Sequence, residues 1–283
     1  GVETPTGTVD LEAGRAYRFR LEFYENGGDA VVKLRAVEPG PQEDPFREAR
    51  EAAARADMAI VAVGTSAREE SEGRDRPSLK LTGPQDELVE AVRRVNPRTI
   101  VLVLSGSAVL MDPWIDHVPA VLQCWFGGQE AGNAIADVLF GDVNPGGKLP
   151  VTFPRSDEQL PSFNNDYETV GEGRGYRYYD KKGLEPLFPF GYGLSYTRFR
   201  YGGLQIGPRE IAGDGRIRVT VEVENVGKRA GDEVVQLYVG YLRPGVERPL
   251  RELKGFERVT LAPGEKKRVI FRLAAKNLAY YDP

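Results

Sequence analysis

Glu72-Gly73-Arg74-Asp75-Arg76 sets a carboxylic acid beside a glycine inside a densely charged stretch. Glu69, Glu70, Glu72 and Asp75 crowd together there with Arg68, Arg74 and Arg76. A glutamate in such company can work as a general acid, because neighbouring carboxylates raise its proton affinity while guanidiniums lower it. Gly73 lets the backbone turn tightly and lets a ligand approach the main chain. A solvated surface loop carries the same residue types. What separates the two readings is where the flanking elements place the loop.

The run Met58 to Val63 is short, apolar and rich in β-branched residues, which predicts a buried parallel strand. A helix follows the loop from Pro84 to Arg94. In an open α/β sheet, chemistry collects outside the carboxyl ends of the strands, and the Glu72 loop lies at such an end. The alternation extends in both directions. A helix over Pro45 to Ala56 precedes the first strand, and Thr99 to Leu104 reads as a second, ending in Ser105-Gly106-Ser107. After a turn around Met111 to Asp116 comes a strand over Ala120 to Trp125. A helix over Gln129 to Phe140 follows Gly127-Gly128. This pattern predicts a parallel sheet covered on both faces.

The flanks have another texture. Between Val9 and Val37 the side chains alternate, and Asn26-Gly27-Gly28 supplies a turn, the signature of a β-hairpin. So short a β segment cannot bury a core of its own, so it reads as the end of a larger β domain. An aromatic and glycine-rich connector without a clear period runs from Asn164 to Tyr201 and is expected to wrap as a clamp over domain surfaces. Beyond it, Ile217, Val219, Val221 and Val223 share a face, followed by strands over 234–241, 256–261 and 269–273. Turn signals punctuate them, as in a β-sandwich. The expected division is a partial β domain at 1–40, an α/β domain with the connector at 41–205, and a β-sandwich at 206–283.

Composition narrows the chemistry. The 283-residue chain has a formal net charge of −4 with both signs interspersed, which provides no footprint for nucleic acid. No apolar run is long enough to span a membrane. The chain opens at Gly1 without an initiator Met or a signal peptide, so a missing natural N-terminus is expected; secreted and cytoplasmic locations both stay open. With His117 the sole histidine and Cys124 the sole cysteine, nucleophilic triads and zinc sites are poorly supported. Cys124 is expected in the core of its strand and His117 in an ordinary loop. Gly127-Gly128-Gln129-Glu130-Ala131-Gly132 lacks the dinucleotide spacing, and Gly146-Gly147-Lys148 lacks the Ser or Thr of a phosphate loop. The Ser105 corner is no nucleophile elbow. All three read as structural turns, and neither a cofactor nor a metal is expected.

Carboxylates remain. Glycoside hydrolysis typically needs two of them, one to protonate the leaving oxygen and one to attack or to activate water. Glu72 and Glu70 are the candidates for the first task.

Three separated stretches, in order, resemble glycoside hydrolase family 3, the β-glucosidase family. One is Glu72-Gly73-Arg74-Asp75-Arg76 with Leu79-Lys80-Leu81 and Gln85 behind it. The most specific runs from Gly127-Gly128-Gln129-Glu130-Ala131-Gly132 through Asn144-Pro145-Gly146-Gly147-Lys148-Leu149-Pro150 to Pro154. The third joins Gly175-Tyr176-Arg177-Tyr178-Tyr179 to Pro186-Leu187-Phe188-Pro189-Phe190-Gly191-Tyr192-Gly193-Leu194-Ser195. The resemblance implies an α/β-sandwich domain, a fibronectin type III-like domain whose last strands are missing, and, at 1–40, the end of a protective-antigen-type β domain. It implies Glu72 as the acid/base, with Glu70 as runner-up because some relatives carry two nearby glutamates. It also implies a retaining exo-β-glycosidase, most simply a β-glucosidase, acting on terminal sugars of oligosaccharides or glycosides. The family's nucleophilic aspartate lies on an N-terminal (β/α)8 barrel, which is therefore the expected partner segment. Assembly into a homo-oligomer is left open. The competing expectation is a non-catalytic carbohydrate-binding or structural module in which Glu72 is a plain surface residue.

Overall fold

The computed structural model describes residues 44–73, 75–161, 174–242 and 245–280, together with Glu12, Arg15 and Tyr17. It divides into two compact units, Gly1–Pro45 and Phe46–Pro283. In the first, Arg15 pairs with Glu12 at 3.2 Å. The hairpin expected over 9–37 otherwise lies outside the described residues.

The second unit opens with α1 (Arg47–Arg55), β1 (Ala59–Gly64), α2 (Gln85–Val95), β2 (Thr99–Leu104) and β3 (Ala120–Gln123). The apolar runs form a parallel sheet in the order β1-β2-β3. Val61 stands opposite Val101, and Val101 opposite Val121. Because side chains alternate along a strand, Val61, Val63, Val101 and Val103 reach one face, where Ala53 of α1 and Val89 and Val92 of α2 bury them. A valine fully removed from water contributes about 1.5–3 kcal/mol, so this layer anchors the strands whose ends carry the loops. Helix ends leave carbonyls without partners. Asn96, at the end of α2, donates to the carbonyls of Ala53 and Ala56 and so satisfies the end of α1.

The sheet is covered more thinly than its strands suggest. Burial alternates along β1, and Ile60 on the second face is 53% exposed. The next helix, α3 (Ala131–Phe140), has no buried residue, and Phe140 projects into solvent. A β-branched run looks the same whether its second face is packed or open, because only a second layer makes the difference. β3 also stops short of the expected Trp125: that residue adopts φ +55°, a left-handed conformation that ends the strand. Cys124 consequently lies just past β3 and is half-buried, not a core thiol.

The connector holds a helix that its texture concealed. α4 (Tyr176–Lys182) sits between Gly175 and Gly183, both at positive φ, and buries Tyr178 and Tyr179. Its tyrosines and lysines have no helical apolar period, so the flanking glycines and the tertiary burial define it. The connector then clamps its surroundings. Phe153 and Phe188 exchange backbone hydrogen bonds, Leu149 donates to the Tyr192 carbonyl, and the Leu149 carbonyl accepts from Gly191. Phe188 stacks on Tyr192 at 5.1 Å, and Tyr176 meets Phe190 at the same distance with the rings tilted. Tyr192 and Tyr196 stay 37% and 47% exposed, less covered than a fully packed clamp.

The remaining strands are β4 (Phe199–Gly207), β5 (Arg216–Asn225), β6 (Gly231–Val239), β7 (Glu252–Leu261) and β8 (Lys266–Ala274). They pair antiparallel as β4-β5-β8 and β6-β7. Val219, Val223, Val235, Leu261, Val269 and Phe271 fill the space between the two sheets. Polar side chains stitch this sandwich to the α/β layer. Lys148 pairs with Glu233 of β6 at 3.2 Å and donates to the Gly193 carbonyl, while Asn144 grips Ser195 and the Tyr196 amide.

Candidate active site

The Glu72 loop leaves the carboxyl end of β1, and Ser105-Gly106-Ser107 leaves the adjacent end of β2. The exit from β1 is narrow: a Cβ on Gly64 would lie 1.9 Å from the Leu104 carbonyl oxygen. Gln85 holds that exit from the α2 side. Its Oε1 accepts from the Gly64 amide at 2.7 Å, and its Nε2 donates to the Gly64 carbonyl at 2.9 Å. The chain then turns at Ser66, whose carbonyl accepts from the amides of Glu69 and Glu70. Glu69 closes this turn by accepting from the Ser66 hydroxyl and amide, and these bonds hold its carboxyl below the usual carboxylate range. Glu69 is therefore an ionised neighbour of the site at neutral pH.

Glu70 points inward. One oxygen accepts from Thr65 Oγ1 at 2.9 Å, Ser107 Oγ at 2.9 Å and Arg76 Nη1 at 3.2 Å. The other accepts from the Gly106 amide at 2.8 Å. The side chain is only 14% exposed and that of Arg76 11%. Arg76 in turn donates to Ser107 Oγ, the Ala108 carbonyl and the Lys80 carbonyl. Between this pair the chain loops outward. Gly73 adopts φ +74°, a conformation open to glycine, and the space where its Cβ would lie is empty. Glu72 beside it is exposed and makes no hydrogen bond or ion pair with any described residue. Asp75 is exposed, Arg68 is exposed, and Arg74 lies outside the described residues.

The two candidate glutamates thus have opposite surroundings. Glu70 accepts four hydrogen bonds, one from a guanidinium, so both of its oxygens are engaged within the protein. An exposed glutamate at the tip of a glycine turn can meet a ligand oxygen. Arg76 is paired with Glu70 and held against the Ser107 corner.

The sequence signalled the loop and its edge but not the loop's partner. Ser105-Gly106-Ser107 does more than turn the chain, since two of its groups bind Glu70. Phe126 also reaches this edge: a Cβ on Gly106 would meet its ring at 2.7 Å and Glu70 Oε2 at 2.4 Å. Trp125 packs edge-on against Phe153 at 6.2 Å. His117 is exposed in a 3-10 turn, Ile115–His117, remote in sequence from these loops. Among the described residues, no group of three or more His, Cys, Asp or Glu side chains is arranged to hold a metal ion. No helix among them is long and apolar enough to cross a membrane.

Residues 4–196 match the glycosyl hydrolase family 3 C-terminal domain, and residues 233–283 a fibronectin type III-like domain. The thermostable beta-glucosidase B of Acetivibrio thermocellus is 46% identical over 273 residues, covering 92% of this chain and 36% of the relative. A beta-xylosidase of Formosa agariphila is 45% identical over 238 residues, covering 83% of this chain and 32% of the relative. The crystal structure of beta-glucosidase from Kluyveromyces marxianus in complex with glucose superposes with a TM-score of 0.74 at 42% identity, covering 84% of this chain and 29% of that one. The chain thus spans about a third of the length of the curated relatives it matches.

Proposed function

This chain belongs to glycosyl hydrolase family 3, and we propose that it is the acid/base-bearing part of a retaining, exo-acting β-glucosidase. The observation that carries the reading is the contrast at the β1 edge: Glu72 stands free at the tip while Glu70 is fully engaged below it.

In this reading Glu72 protonates the glycosidic oxygen as the bond from the anomeric carbon to that oxygen breaks. A second carboxylate, roughly 5–5.5 Å away as retaining enzymes require, takes the sugar as a covalent ester. Glu72, now ionised, removes a proton from water as the water displaces that carboxylate, and both groups return to their starting states. The nucleophile is an aspartate on a (β/α)8-barrel segment that completes the site.

The substrate is a terminal β-linked glucoside. The likeness to a beta-xylosidase makes a terminal xyloside the second candidate. Residues 1–40 fit as the end of a protective-antigen-type β domain, and the α/β domain with its connector runs from 41 to the start of β4 at Phe199, where the sandwich begins. The test is hydrolysis of 4-nitrophenyl β-glucoside and β-xyloside by the full-length protein that carries this chain, with the anomer released followed by NMR. Release of β-glucose supports the reading. Inactivity on both substrates, or an inverted product, removes it; xylose release alone moves the assignment to a xylosidase.

A further inference from the structure

We infer that Glu70 is a positioning residue: with Arg76 it forms a latch that fixes Glu72 by tying the loop after β1 to the loop after β2. The inference rests on the glycosidase reading above and adds a residue that acts through Glu72.

Glu70 and Arg76 lie two residues before and four residues after Glu72, and their ion pair at 3.2 Å closes the base of the loop that Glu72 and Gly73 tip. Without it the tip would be tethered only at its ends, and an acid displaced by an ångström loses its line to the leaving oxygen. The latch is anchored outside its own loop. Three donors and acceptors of the neighbouring corner take part: the Gly106 amide and Ser107 Oγ donate to Glu70, and the Ala108 carbonyl accepts from Arg76. Ser107 links the two partners, donating to Glu70 and accepting from Arg76 at 3.0 Å. These bonds are shielded, with both side chains nearly covered.

Gly106 shows how closely the parts are fitted. Any Cβ there would lie 2.4 Å from Glu70 Oε2, so the carboxylate occupies space that only glycine leaves open. All four of its partners donate to it in this arrangement, the Gly106 amide and Arg76 having no lone pair to accept with. A neutral amide would turn an NH2 group toward one of them.

The experiment uses the full-length protein. Glu70→Gln keeps the volume and removes the charge. Misplaced acid catalysis should lower kcat on alkyl β-glucosides roughly 10–100-fold. KM and turnover of 2,4-dinitrophenyl β-glucoside, whose leaving group needs little protonation, should change by less than about threefold. Azide should give no rescue, since Glu72 is still present. Hydrogen exchange at the Gly106 amide should accelerate. Ser107→Ala, which removes one donor and is the milder change, should show the same split between substrates at roughly 3–10-fold. Because Arg76 acts through the same contacts, adding Arg76→Lys to Glu70→Gln should deepen the loss by less than the product of the two single effects.

Equal loss on both substrate classes with a lowered Tm would make the latch merely structural and overturn the inference. So would alkyl-glucoside turnover within about twofold of wild type while Gly106 exchange rises. If Glu70→Ala is rescued by azide while Glu72→Ala is nearly silent, Glu70 is itself the acid/base; that outcome overturns the positioning role and the choice of Glu72 together. A wild-type protein inactive on every aryl β-glycoside, with Gly106 still protected, rejects the glycosidase reading and with it any positioning for that reaction.

Discussion

Lys148 and Glu233 meet 3.2 Å apart, 15% and 11% exposed, where the segment after α3 touches β6. Tyr201 Oη donates to the other side of the same carboxylate system at 2.8 Å. The three residues come from three separate stretches of the chain, so the cluster reports whether those stretches stay assembled.

Breaking the pair from one side leaves the other charge covered and alone. Lys148→Met should therefore lower unfolding free energy by about 3 kcal/mol. Urea denaturation of the full-length protein checks it, and a change below about 0.5 kcal/mol would mean that water replaces the lysine freely.

The same cluster sets a limit in alkali. Burial, the hydrogen bond to Glu233 and the negative charge of Glu233 all raise the Tyr201 phenol well above its ordinary value. A raised acid is more protonated in the folded chain than in the unfolded one. Its contribution is fully present below the unfolded value of about 10, and stability declines as pH rises past that point. Tyr201→Phe should flatten the decline above about pH 10 in urea midpoints. An unchanged slope would show that Tyr201 ionises as freely in the folded chain.

Asn96 is 5% exposed and satisfies two carbonyls at the end of α1. Asn96→Ala takes the side-chain donor from both, leaving Ala53 only the Ala56 amide, and Tm should fall by an amount corresponding to about 2 kcal/mol. Asn96→Asp is a sharper probe: it replaces the donating amide with oxygen and should destabilise at neutral pH at least as much as alanine.

Glu72→Ala in the full-length protein should lower turnover of alkyl β-glucosides by at least about 100-fold and that of dinitrophenyl β-glucoside far less. Azide should partly restore turnover of the activated substrate by replacing the water that Glu72 otherwise deprotonates, with glycosyl azide as the product to look for.

Phe190 lies 5.1 Å from the Tyr176 ring, which itself meets Tyr238 edge-on. Phe190→Ala should destabilise by about 3 kcal/mol with KM unchanged. Weakened substrate binding at constant Tm would instead mark Phe190 as a sugar platform.

Much of this arrangement was legible in the residues. The runs at 58–63 and 99–104 announce parallel strands and so place the Glu72 loop at the carboxyl edge. Local pattern could not reveal contacts between distant positions. Gly106 and Glu70 are 36 residues apart, and nothing in a serine-glycine-serine corner announces that a carboxylate fills the glycine's missing side chain. α4 was hidden because burial of tyrosines, not periodicity, holds it. β4 was obscured by Gly202-Gly203, where its register with β5 shifts. The uncovered face of β1 escaped because a strand's composition does not reveal what packs on it.

β4 begins at Phe199, and residues well before it reach forward, Asn144 to Ser195 and the Tyr196 amide just ahead of β4 and Lys148 to Glu233 of β6. Gly231 is bound by the same logic: a Cβ there would strike Asn144 Nδ2 at 2.1 Å. The sandwich is consequently not a module that relatives can trade freely. A crossover near residue 206 would sever β4 and pair one parent's asparagine with another parent's turn. Inheritance is constrained across the seam, so substitutions at 144, 148, 231 and 233 should co-vary as lineages diverge.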